Sequence, residues 1–345
     1  MDTLQRDAAR TYDADADWMR VVAAFFVVMI HASGTRTFAA VFYNCVARFS
    51  VPVFLMLSGW YMLARPIDGR VLARKCGALF ARLLAWSAIF YGYELLCGTA
   101  ADTSLRGIAA YLLTQPFHLW YLWALLALYL FTPMLFVFCE HATKRQYQYA
   151  LLLTFLFGSP VTLLLRSGAA PVLAAVIDRM KVPYLLGFPF CYLLGGYFRR
   201  CGVELGGKAR RGALYGLALL GLLITVAGTR RLSAGGELDQ LLESFFAPNV
   251  LAVSAAFFVF VKQLCRRFPP RHPAAARELA DCTLGVYLLH PLIILMLQRN
   301  PATLHLLYDG ADRWLVPLRT ALVFALALLV VLPLKRVPLL RRLLR

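Results

Sequence analysis

The sequence predicts an all-α, polytopic membrane bundle of about ten transmembrane helices with both termini in the cytoplasm. Three observations carry that expectation. The chain has 345 residues, of which 61% are hydrophobic and only 16% charged. Its apolar runs repeatedly reach the length of about 20 residues that an α-helix needs to cross a bilayer. When those runs are numbered, the segments on one side of the barrier carry more than twice as many lysines and arginines as those on the other. Such a bias marks the cytoplasmic side.

Taken in order, the expected spans are 17–35, 47–63, 76–97, 118–139, 148–165, 183–199, 211–228, 246–263, 281–298 and 315–334. Residues 1–16 are polar and lack the apolar core of a signal peptide, so they form a cytoplasmic N-terminal segment and the first span is retained. Residues 17–334 form one membrane domain, followed by a basic cytoplasmic tail, 335–345. A weaker apolar stretch at 168–177 is re-entrant or interfacial. No repeat of 20 to 50 residues is visible, and the spans do not divide into matching halves, which removes one signature of a secondary transporter.

The net charge of +18 follows membrane topology rather than a nucleic-acid surface. The basic, proline-rich stretch 266–277 lies inside and contacts lipid headgroups or an anionic donor. Eight cysteines are scattered without the close pairs of a zinc or redox site, so no metal is expected. Cys45 and Cys97 both fall near the expected outer face. Asp13, Asp15 and Asp17 alternate ahead of the first span; Asp17 suits neutralisation of Arg20 or the helix N-terminus, while Asp13 and Asp15 are read as solvated.

Arg20 and His31 are the chemically informative pair. Eleven residues separate them, which is about 20° past three full helical turns and about 16 Å of rise, so both side chains face the same way. Ionisable groups on one stripe of a membrane helix face a protein interior or a wet cavity, and mark a functional site by default; snorkelling to headgroups is the alternative for Arg20. Guanidinium grips phosphate and imidazole is the usual general base near neutral pH. Phosphate at one depth and proton transfer at another suit an acyl-CoA, with its anionic head, extended arm and thioester. His290 also lies well inside a span, as a functional group or as a hydrogen-bonded packing element. His118 stands at the outer mouth of the fourth span. Glu94, near the outer end of the third, either orients His31, balances Arg48 or faces water. Trp120 fits an interfacial belt as well as a sugar platform. Arg48 is placed at the start of the second span, near the outer face.

Four stretches carry a family resemblance. Asp17-x-x-Arg20 leading into an apolar helix that ends in His31 resembles the opening motif of the acyltransferase-3 family of integral membrane acyltransferases. The run from Arg48 to Gly59 is similar to the family's second span, that from His118 to Pro133 to its fourth, and that from Leu284 to Leu292 to its span near the C-terminus. The resemblance covers nearly the whole chain. It implies transfer of an acyl group, commonly acetyl, from cytosolic acyl-CoA to a hydroxyl of a lipid-linked sugar or surface glycan, by a multi-pass protein of the inner (plasma) membrane. Acyl-CoA is then a co-substrate, and no bound cofactor and no nucleic acid are involved. Many members carry an Arg-x-x-Arg pair after the second span; here Arg70 and Arg74 are four apart. They still share a helical face, as a donor-phosphate clamp or as inward topology charges. On these grounds His31, Arg20 and Glu94 are the expected catalytic residues. Arg48, Arg70, Arg74, His118, Trp120 and His290 are the expected substrate-binding ones. A glycan transporter is the competing expectation.

Overall fold

The computed structural model describes residues 13–34, 37–100, 102–114, 116–180, 189–203, 207–235, 238–309 and 311–344. Residues 1–12, most of the expected N-terminal segment, and 183–188, the start of the expected sixth span, lie outside these. Helices are the only regular elements described, numbered here in chain order: α1 (Ala14–Ser33), α2 (Phe38–Ala47), α3 (Ser50–Met62), α4 (Gly69–Leu96), α5 (Leu105–Thr114), α6 (Trp120–His141), α7 (Lys144–Gly158), α8 (Pro160–Ser167), α9 (Pro171–Met180), α10 (Pro189–Cys201), α11 (Lys208–Leu232), α12 (Pro248–Arg267), α13 (Pro273–Ala280), α14 (Thr283–Arg299), α15 (Pro301–Tyr308), α16 (Asp312–Leu334) and α17 (Pro338–Leu344). A 3-10 turn, Phe117–Leu119, leads into α6.

Eight of these stretches are long and apolar enough to cross a membrane, and nine if α13 and α14, bent by 51°, count as one. The expected sixth span is represented by α10, of 13 residues. The apolar stretch near 168–177 becomes α9, a ten-residue helix of about 15 Å, half the hydrocarbon thickness.

One boundary differs with consequence. The second span runs over Phe38–Met62 and begins well before the expected residue 47. Thr37 opens it, its hydroxyl accepting from the Ala40 backbone N–H at 3.1 Å. The polar Asn44 and Arg48, which interrupt an apolar run on paper, are both buried inside the fold. Arg48 therefore stands inside the second span, at the joint between α2 and α3, and not at its start.

The central helix is α1, which packs against α2, α3, α12, α13, α14 and α16. Without a hydrophobic drive between helices in lipid, close backbone approach at small residues holds a bundle together. Gly59 of α3 lies directly against the Tyr192 backbone of α10, and Gly195 of α10 against that of Met56. A Cβ on Gly221 of α11 would come 2.6 Å from the Asn249 carbonyl oxygen of α12.

Polar clamps fix both ends of α1. At its start, the buried Lys262 ammonium lies 2.9 Å from both Asp13 and Asp15. The Trp60 indole donates to Asp13 at 2.9 Å, and Lys262 sits 3.9 Å above the Trp60 ring. Asp13 and Asp15 are thus counter-charges and not the solvated residues expected, because a buried ammonium on α12 is tolerable only when paired. Asp17 does meet Arg20, at 3.2 Å. At the other end, buried Arg319 of α16 donates to the Ala32 and Ser33 carbonyls, which have no partner within α1, and to Asp312 at 2.9 Å.

Candidate functional site

Because α1 is the hub, the stripe shared by Arg20 and His31 faces inward, onto a cavity of about 840 Å³. Its two ends differ in chemistry. Around Arg20 the wall includes Arg74, Lys75 and Arg82 of α4, against one lining carboxylate, Asp281. The α4 stem is held there by α17: Arg82 Nε donates to the Arg342 carbonyl at 3.0 Å, and Trp86 Nε1 to that of Leu343 at 3.2 Å. Arg20 also lies 4.7 Å above the Tyr61 ring. Four cations lining one cavity bind an anion by charge and by hydrogen bonds, more strongly than neutral groups would.

The far end is built on histidine. The His31 ring lies 5.0 Å from that of His290 on α14, and 5.7 Å from Phe117. His118, in the turn before α6, is buried beside Phe90 at 4.8 Å and His290 at 6.2 Å. Its backbone carbonyl accepts from the Tyr287 hydroxyl. Neither ring nitrogen of His118 has a hydrogen-bond partner, nor does His290 Nε2. Buried polar atoms are ordinarily satisfied, so three such atoms beside a cavity point to a bound molecule or to exchangeable partners.

Arg48 borders this end through a hydrogen-bonded network. Its Nε donates to Asn44 Oδ1 at 2.7 Å and its Nη2 to Glu243. Asn44 in turn donates to the Ile30 carbonyl and Ser33 hydroxyl of α1, both at 3.1 Å. Glu243 lies fully buried in the segment between α11 and α12, and burial raises its pKa while Arg48 pulls it back. That segment also places Phe245 on Trp120, ring centroids 5.6 Å apart and nearly parallel, and beneath Arg48 at 4.9 Å.

The expected site residues thus separate into two groups. Arg20, His31, Arg48, Arg74, His118 and Trp120 line one cavity, with His290 directly behind His31. Arg70 and Glu94 are not among its lining. Arg70 is exposed in the first turn of α4, where Asp68 accepts from its backbone N–H at 2.9 Å. Glu94 accepts from the Tyr111 hydroxyl of α5 at 2.7 Å, and Arg48 has Glu243 for its carboxylate instead. Sequence reasoning singles out no role for Arg82, Asn44, Glu243 or Phe245. Asn44 and Arg48 stand one helical turn apart, which was a readable signal; Glu243 sits in a connecting segment whose fold no periodicity reports. Cys45 and Cys97 are both free thiols.

A family model described as an acyltransferase domain matches residues 13–336. The match takes in every span and all of the cavity-lining residues named above. No curated protein and no solved structure matches the chain.

Proposed function

The chain belongs to the acyltransferase domain family and is a membrane acyltransferase, and from that premise we propose that it moves an acyl group from acyl-CoA to a sugar hydroxyl. Acetyl is the proposed group. The acceptor is a lipid-linked sugar or surface glycan, as for members such as the O-acetyltransferase of enterobacterial common antigen. The observation that carries this reading is the single cavity joining a four-cation end to a histidine end. The eleven-residue offset along α1 corresponds to about 16 Å, enough to separate a phosphate-bearing head from a thioester on an extended arm.

In this reading Arg20, Arg74, Lys75 and Arg82 hold the donor phosphates. His31 accepts the proton of the acceptor hydroxyl as its oxygen attacks the thioester carbonyl. The carbon–sulfur bond then breaks and the imidazolium returns the proton to the CoA thiolate, so that protons and electron pairs balance. Arg48, fixed by Asn44 and Glu243, presents its charge to the acceptor side, where Trp120 and Phe245 offer an aromatic wall. The donor end is assigned to the cytoplasm because basic residues concentrate on that side, and the protein to the inner (plasma) membrane on the strength of the family resemblance.

Purified protein in lipid nanodiscs should release CoA from acetyl-CoA only when glycan acceptor is present, with the acceptor gaining the mass of one acetyl group. Movement of glycan across a vesicle membrane without any donor would instead establish the transporter, a reading that the family match does not favour.

A further inference from the structure

His290 has a defined tautomer that nothing in the acyl-transfer reading uses. Its Nδ1 lies 3.1 Å from the Val286 carbonyl, one turn earlier on α14. A carbonyl oxygen only accepts, so Nδ1 carries the hydrogen in the neutral ring, and Nε2 is left with a lone pair. That nitrogen is buried without a partner, on a residue with no solvent exposure, and the His31 ring is 5.0 Å away, centroid to centroid. Two candidate carboxylates are engaged elsewhere: Glu94 accepts from Tyr111 and Glu243 from Arg48.

We propose that His290 is the positioning residue for His31, its Nε2 accepting the N–H of one His31 ring nitrogen so that the lone pair of the other faces the cavity. The Val286 carbonyl, His290 and His31 then form a relay of fixed donors and acceptors. It does for His31 what a buried carboxylate does for the histidine of a hydrolase triad. An imidazole performs this task without adding a charge at membrane depth, where a carboxylate is expensive. When His31 takes up the acceptor proton, the same hydrogen bond becomes charge-assisted and strengthens in the transition state. The hydrogen bond itself stands apart from the acyl-transfer reading, whereas its effect on turnover rests on that reading.

The test uses two substitutions that divide the two functions of the ring. Glutamine at 290 places an acceptor oxygen where Nε2 stands. Asparagine keeps a donor for Val286 and leaves the Nε2 position empty. In full-length protein labelled with ¹⁵N-histidine, His31 should show one tautomer in the wild type and in His290→Gln, and a mixture in His290→Asn. That measurement needs no substrate. In turnover, His290→Gln should stay within about tenfold of wild-type kcat and His290→Asn should lose about a hundredfold or more, with the donor KM unchanged in both. Equal kcat values for the two variants, or a single unchanged His31 tautomer in His290→Asn, would overturn the proposal. So would a wild-type spectrum with the hydrogen on His290 Nε2, which decides the matter even where the asparagine variant does not fold. If the wild type releases no CoA while the tautomers shift as expected, the hydrogen bond stands and acyl transfer falls.

Discussion

His31 and Arg20 divide the chemistry of one helix face, and each has its own expected phenotype. His31→Ala should abolish acyl transfer while the protein still inserts at normal abundance, since the ring borders a cavity, where it meets Phe117 and His290. Membrane fractions assayed for CoA release and for protein level check both halves. Arg20→Ala should raise the donor KM by about ten- to a hundredfold, the loss of one charge-assisted contact of roughly 1.5 to 3 kcal/mol. Arg20→Lys should restore only part, because a point charge lacks the planar fork. Steady-state kinetics with each substrate varied in turn separates these effects; an increase confined to the acceptor KM would reverse the assignment of the two ends. Glu243→Ala belongs to a different class. It leaves the Arg48 guanidinium buried without its counter-charge, a change that costs roughly 3 to 5 kcal/mol when one partner of a buried pair is removed. Thermal unfolding in detergent should show a clear loss of stability together with loss of activity.

At the scale of elements, the helices meet where side chains are absent. A Cβ at Gly195 would run into the Met56 backbone, whereas Gly212 and Gly216 of α11 have nothing within 4 Å of the same position. Gly195→Ala should therefore destabilise α3–α10 packing by at least about 1 to 3 kcal/mol, since backbone cannot yield as a side chain does. Gly216→Ala should be neutral or stabilising by up to about 1 kcal/mol, the helix-propensity gain. Melting temperatures of the two variants, measured side by side, test the contrast. A smaller effect is expected at α7, whose start is closed by a capping box between Thr143 and Gln146; Thr143→Ala should cost about 1 kcal/mol.

For the whole molecule, the inward bias of basic residues predicts that reporters fused after the last residue are active in the cytoplasm and silent outside. The opposite result would reverse the donor-entry direction as well as the topology. Eight of the ten expected spans, the second with a different start, were legible in the sequence because hydropathy is a local property: hydrocarbon admits long apolar segments whatever they pack against. The Arg20–His31 stripe was legible for a similar reason, since helical periodicity is set within one element. What the tertiary structure decided is everything that depends on two elements meeting. It buried Arg48 inside the second span, where Asn44 and Glu243 satisfy it. Glu94 went to Tyr111, and Asp13 and Asp15 went to Lys262. It also brought α14 behind α1, so that His290 meets His31. Burying a charge or an imidazole is costly alone and acceptable with a partner. Such partners lie as much as 287 residues apart in the chain, as Arg319 and the Ala32 carbonyl do, beyond the reach of any local pattern.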